Sequence, residues 1–156
     1  MLVNLKEILA PAYEKHYAVG SFNCYSYETF RGCIAAGEEM GAPVIAAFGA
    51  AYLANMSLET AHAIAASLAR EADVPVCLHL DHCSEVDVIC RAIKAGFGSV
   101  MYDGSALPFA ENVANTHAVC RAAHACGVSV EAELGSLGVG VDSHEGRAED
   151  VEQYTD

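Results

Sequence analysis

The run "VPVCLHLDH", residues 74–82, is apolar through Leu78 and then sets down His79, Asp81 and His82 within four positions. A strand with one solvated face would scatter polar residues along its length, whereas this one keeps them for its end. The pattern fits a strand buried on both faces, and the sequence on either side supplies its cover. "SLETAHAIAASLAREA" (57–72) precedes it with a helical pattern, and Val86, Ile89, Cys90, Ile93 and Phe97 follow it at helical spacing. Ser84 and Asp87 in "SEVD" read as an N-cap pair for that second helix, which Gly96 and Gly98 close.

The same grammar extends in both directions. A first amphipathic helix carries Leu5, Ile8, Leu9 and Ala12 on one face and leads into "YAVGSFNCYS" (17–26), a short apolar strand with a polar end. A helix over "YETFRGCIAAGEEMGA" (27–42), closed by Gly41, precedes the strand "PVIAAFG" (43–49). "SVMYDGS" (99–105) is a fourth strand, "LPFAENVANTHAVCRAAHACG" (107–127) a helix with Pro108 near its first turn, and "VSVEAELG" (128–135) a fifth strand. Strands without polar alternation, each followed by a helix, predict a parallel sheet covered by helices and so the α/β class. Parallel strands all end on one side. Asn23, Asp81, His82, Asp103, Glu131 and Glu133 therefore gather at one rim, where open sheets and (β/α)8 barrels keep their active sites. Five units are present, against the eight units and about 250 residues of a complete barrel. From residue 134 the chain turns Gly-rich and then acidic, "LGSLGVGVDSHEGRAEDVEQYTD", which reads as a mobile loop.

At 156 residues and 53% hydrophobic, the chain has the length and core material of one domain. Its 21 acidic against 8 basic residues give a net charge of −13, which argues against nucleic acid and anionic membrane surfaces as partners. No apolar run is long enough to span a bilayer, and the N-terminus mixes acids into an amphipathic pattern unlike a signal sequence, so a soluble cytoplasmic protein is expected. The seven cysteines are odd in number and irregularly spaced. Cys33, Cys77, Cys90, Cys120 and Cys126 fall in apolar periodic segments, as buried reduced thiols would.

His82 beside Asp81, with Asp103 and Glu133 from neighbouring strand ends, offers nitrogen and carboxylate donors suited to zinc or another divalent metal. A polar network with His82 hydrogen-bonded to a carboxylate accounts for the same residues, and spacing leaves both readings open. Alternation places His79 opposite His82 or one layer deeper, as a satisfied core histidine. His62, His117 and His124 read as surface or packing residues of helices, His16 as exposed, and His144 falls in the Gly-rich segment. Glu131 and Glu133 share a strand face, and their roles are not separable by spacing. Dinucleotide, Walker and nucleophile-elbow motifs are absent from the sequence.

Taken together, "LHLDH" (78–82), "IKAGFGSVMYDGSALPFAENVANT" (93–116) and "GVSVEAELGSLG" (127–138) closely resemble the class II, metal-dependent ketose-bisphosphate aldolases, the group that includes fructose- and tagatose-bisphosphate aldolases. The resemblance runs the length of the chain. It implies a (β/α)8 TIM barrel of which residues 1–156 are the N-terminal part, about the first five βα units, with 136–156 as a mobile loop and the start of the next unit. It further implies reversible cleavage of a phosphorylated ketose to dihydroxyacetone phosphate and an aldehyde, with Zn2+ as cofactor and a homo-oligomeric whole protein. Asp81 matches the acid that handles the proton on the hydroxyl of the cleaved carbon, and His82 matches a zinc ligand. Asp103 and Glu133 match carboxylates able to hold a second or displaced metal, and Asn23 matches an asparagine near substrate.

The departures are equally specific. The family draws two further zinc histidines and its phosphate-binding glycines from later strands, which implies that this chain alone is inactive or nearly so. Val141 stands where a proton-moving loop glutamate is expected, with Glu145 and Glu149 nearby, and Gly49 stands where relatives often carry a substrate-contacting serine. These changes leave room for a divergent phosphosugar lyase or isomerase, or for a non-catalytic half-barrel that serves as a binding or structural subunit.

Overall fold

A computed structural model describes residues 1–135. The loop expected over 136–156, with Val141, His144, Glu145 and Glu149, lies outside the described residues. Within them the order is α1 (Leu5–Lys15), β1 (Gly20–Asn23), α2 (Tyr27–Met40), β2 (Val44–Gly49), a 3-10 turn over Ala50–Ala54, α3 (Leu58–Glu71), β3 (Val76–Cys83), α4 (Val86–Ala95), β4 (Ser99–Tyr102), α5 (Phe109–Ala125) and β5 (Ser129–Ala132). The five strands form one sheet in chain order, and every neighbouring pair is parallel.

Each helix begins and ends for local reasons. Asn4 and Ser26 close capping boxes with Glu7 and Thr29, and Ser57 accepts a hydrogen bond from the Thr60 amide. α4 starts differently from the expectation: its N-cap is Glu85, without a side-chain cap, and the Ser84–Asp87 pair does not form one. Cys83, at the end of β3, donates its thiol to the Glu85 carbonyl, so the turn out of the strand is held from that side. Gly96 alone ends α4, in the left-handed conformation; Gly98 instead lies against the backbone of Val3.

The sheet's two faces are covered by different elements. On one, Phe30 and Ile34 of α2, Leu58, Ala61, Ala65 and Ala69 of α3, and Val88, Ile89 and Ala92 of α4 pack on Val44, Ala46, Phe48, Val76, Leu78, Leu80 and Val100. Burying each such Phe, Leu or Ile contributes about 1.5–3 kcal/mol. On the opposite face α1 lays Leu5 and Ile8 on Ile45 and Cys77. β2 is consequently buried at every residue, as its unbroken apolar sequence requires.

β1 departs from the reading of a buried strand, since all four of its residues are exposed and Phe22 is 54% accessible. Among the described residues it pairs on one side, with β2, so its apolar content does not translate into burial. The cysteines also divide: Cys24, Cys77 and Cys83 are buried free thiols, while Cys90 and Cys126 are exposed and Cys33 and Cys120 lie between. No helix among the described residues is long and apolar enough to cross a membrane.

Candidate metal centre at the strand ends

The polar residues of β3 reach the sheet's rim through an irregularity. Between the Leu80–Val100 and Cys83–Tyr102 pairs, β3 advances three residues while β4 advances two, so β3 carries a bulge. His82 occupies it with φ +44°, a left-handed conformation unusual for a residue with a side chain. Adjacent strand residues ordinarily point to opposite faces; the extra residue lets Asp81 and His82 both face the site.

His82 Nδ1 lies 3.1 Å from Asp103 Oδ2, as a hydrogen bond, and 3.8 Å from Glu133 Oε2. One donor atom from each of His82, Asp103 and Glu133 falls within a 4.8 Å group, and all three residues are partly buried. One imidazole nitrogen with two carboxylates is a donor set that zinc and similar divalent ions accept. The residues brought together by the fold thus fit a metal, and the His82–Asp103 bond of the network reading is present in the same place.

Two of the three donor residues, Asp103 and Glu133, are held from behind. Ser105 Oγ donates to Asp103 Oδ1 at 2.6 Å and the Ser105 amide to the same oxygen at 3.1 Å. Burial works to raise the Asp103 pKa, but the hydrogen bonds from Ser105 and His82 outweigh it, so this carboxyl is held below its ordinary value. At β5, buried Asn112 donates from Nδ2 to the Glu133 carbonyl at 2.8 Å, and Thr116 Oγ1 donates to Asn112 Oδ1 at 3.1 Å. Gly104 makes room for this link, because a Cβ there would overlap Asn112 Oδ1.

One layer deeper, a cavity of ≈ 540 Å³ opens between α1 and the sheet, lined by Leu5, Ile45, His79, Asp81, Ser129 and Glu131 among others. His79 is 2% exposed and shares its face with Asp81, so of the two expected placements the deeper one is found. Its Nδ1 is 2.9 Å from Ser99 Oγ, yet Nε2 has no hydrogen-bond partner among the described residues, so the histidine is only half satisfied. Burial drives the His79 pKa down to about 4, with the nearby His82 adding to the effect. Glu131 moves the other way: burial first, then the charge of Asp81, raises its pKa against an opposing effect of His82.

Asn23 ends β1 on the same rim, exposed, two strands from Asp81 and outside the His82–Asp103–Glu133 group. Gly49 pairs with Asp81 in the sheet register, and the Tyr52 ring fills the space beside it; a Cβ on Gly49 would stand 3.2 Å from Tyr52 Cε2. Ser99, Ser105 and Asn112 were not among the residues expected at the site. Two of them carry a signal in the sequence: Ser105 sits in "DGS", an Asp-led turn, and Asn112 is a polar residue in phase with the buried Val119 and Ala123 of α5. Ser99 becomes visible only through the register that sets it opposite His79.

A parallel sheet in chain order, with acids and an imidazole converging at its C-terminal rim, places the molecule among α/β proteins of the barrel type, with a rim whose donors fit a metal. The family model of fructose-bisphosphate aldolase class-II matches residues 3–156, and the chain belongs to that family. It is 44% identical over 146 residues to a fructose-bisphosphate aldolase of Thermus caldophilus, covering 92% of this chain and 47% of that protein. It is 39% identical over 133 residues to a sulfofructosephosphate aldolase of Alkalicoccus urumqiensis, covering 85% and 46% respectively. The crystal structure of the YdjI aldolase from Escherichia coli K12 superposes with a TM-score of 0.82 at 38% identity, over 86% of this chain and 51% of that one. The chain spans about half the length of the curated relatives it matches, as part of a TIM barrel would.

Proposed function

We propose that the protein is a metal-dependent aldolase that reversibly cleaves a phosphorylated ketose, such as fructose or tagatose 1,6-bisphosphate, into dihydroxyacetone phosphate and an aldehyde. The observation that carries this reading is the β3 bulge, in which His82 leaves the strand's alternation and joins the Asp103 and Glu133 donors at the rim, next in the chain to Asp81. Such a site needs a proton-handling group next to a Lewis acid.

In this reading His82, Asp103 and Glu133 hold the metal, taken as zinc from the mixed nitrogen and oxygen donors. When bound, the metal supplies a Lewis acid for the negative charge that develops on the ketone oxygen as the carbon–carbon bond breaks. Asp81 accepts the proton from the hydroxyl of the cleaved carbon and returns it in the synthetic direction. Asn23, at the end of β1, hydrogen-bonds the substrate. The described residues form the N-terminal part of a single barrel. The relatives named for two different phosphorylated ketoses support the substrate class. A reducing cytoplasm agrees with seven unpaired cysteines, and a homo-oligomer rests on the family resemblance alone.

The test is release of dihydroxyacetone phosphate from a panel of ketose phosphates by the natural gene product, with and without a chelator. The expected outcome is cleavage that the chelator abolishes and zinc restores. Cleavage indifferent to the chelator, or none across the panel, contradicts the proposal.

A further inference from the structure

His79 is the buried polar group that the proposed chemistry leaves unused. It lies on the inner face of β3 in the layer below Asp81, level with Ser99 of β4 and Ser129 of β5 in the sheet register. Ser99 is fully buried and bonded to Nδ1, so the ring cannot turn without breaking that contact. The other nitrogen, Nε2, points into the cavity between two carboxylates, 3.3 Å from Glu131 Oε2 and 3.9 Å from Asp81 Oδ1.

The proton's position on this ring follows from its neighbours. Burial keeps the imidazole neutral near pH 7, so it carries a single N–H. With that proton on Nδ1, the buried Nε2 lone pair would face two carboxylates, acceptor against acceptor. With the proton on Nε2, the Ser99 hydroxyl donates to Nδ1 and the ring N–H faces two acceptors. The second arrangement satisfies Nδ1 and turns an N–H rather than a lone pair toward the carboxylates, and Ser99 is the residue that can switch from acceptor to donor to permit it.

We propose that His79, fixed by Ser99, is the positioning residue for Asp81: its Nε2–H lies between Asp81 Oδ1 and Glu131 Oε2, and its electrostatic attraction for both keeps the other oxygen of Asp81 turned to the rim. The inference rests on the proposed aldolase function, in which that oxygen takes the substrate proton. Glu131 gains a role that spacing alone could not give it. It holds the N–H from the far side and limits how far Asp81 can swing inward.

Two substitutions separate this role from simple packing. The amide of Asn reaches the position of Nδ1 and can keep the Ser99 bond, while the longer Gln places an N–H where Nε2 was. In the natural gene product, His79→Asn is expected to lower kcat about 10- to 100-fold, the range for losing a group that orients a site residue, with KM and bound metal unchanged. His79→Gln is expected to recover most of that loss. NMR of the imidazole nitrogens in the unsubstituted protein is expected to show the proton on Nε2, a readout independent of turnover. A proton on Nδ1, or Asn and Gln variants that share one kcat and differ from the parent only in melting temperature, would overturn the assignment. If the unsubstituted protein cleaves no ketose phosphate, the aldolase reading fails, and the imidazole spectrum still decides whether His79 donates toward the carboxylates.

Discussion

Asp81 and His82 are consecutive, and both face one site because His82 adopts φ +44° inside a bulge. Residues in such conformations persist where the surroundings hold them, and here the Asp103 hydrogen bond does so. Replacing Asp81 by Asn keeps the shape and removes the proposed base, so kcat should fall by about 10²–10⁴ while bound metal is retained. His82→Ala should instead weaken metal binding, since it removes the nitrogen donor of the His82–Asp103–Glu133 group. Kinetics and elemental analysis on the two variants distinguish these outcomes. His79 makes a separate prediction about stability. Its pKa is about 4 when folded and near 6.5 when unfolded, so between those values the unfolded chain binds the extra proton. Stability is therefore lost as pH falls from about 6.5 to about 4, by roughly 3 kcal/mol, and levels off below that. Glu131, raised by burial, acts in the opposite direction over part of the range, so the His79 effect is the difference between parent and His79→Gln in the slope of unfolding free energy against pH, measured by urea denaturation at each pH. Equal slopes in the two proteins would show that His79 is not buried neutral.

At the scale of elements, the supports of the donor group set its precision. Gly104 lies where α5 approaches the β4 turn, and Gly104→Ala drives a methyl group into Asn112 Oδ1. That crowding should cost about 1–3 kcal/mol and loosen the Asn112 link to the Glu133 carbonyl, lowering both melting temperature and metal affinity. Far from the site, Ser26→Ala removes the capping box of α2 and should cost about 1 kcal/mol in denaturant titration without touching metal binding. Much of this layer was legible in the sequence: the helices over 27–42 and 107–127 and the strands over 74–82 and 99–105 follow from apolar period and turn residues. The start of α4 was not, because "SEVD" has capping chemistry while the chain leaving the β3 bulge makes Glu85 the N-cap. The bulge itself leaves no mark in composition, since it is defined by the partner strand's register. The same limit hid Ser99, whose partnership with His79 exists only once β3 and β4 are aligned.

For the molecule as a whole, unbroken apolar strands alternating with helices were enough to predict a parallel sheet with one functional rim, and the five strands in chain order follow that plan. Burial of individual strands was less legible, because it depends on what lies on both sides: β2 is buried throughout and β1, with comparable apolar content, is exposed. The sheet's order is also what assembles the donors, since His82, Asp103 and Glu133 come from three successive strand ends and meet only if those strands pair in sequence. The most direct test of the account is a crystal structure of the zinc-loaded protein with anomalous diffraction measured at the zinc edge. The account predicts a zinc peak at the rim about 2.0–2.2 Å from a His82 nitrogen and from a carboxylate oxygen of Asp103 or Glu133, replacing the His82–Asp103 hydrogen bond. A catalytically active, zinc-containing protein with its anomalous peak elsewhere and the His82–Asp103 bond intact would contradict it.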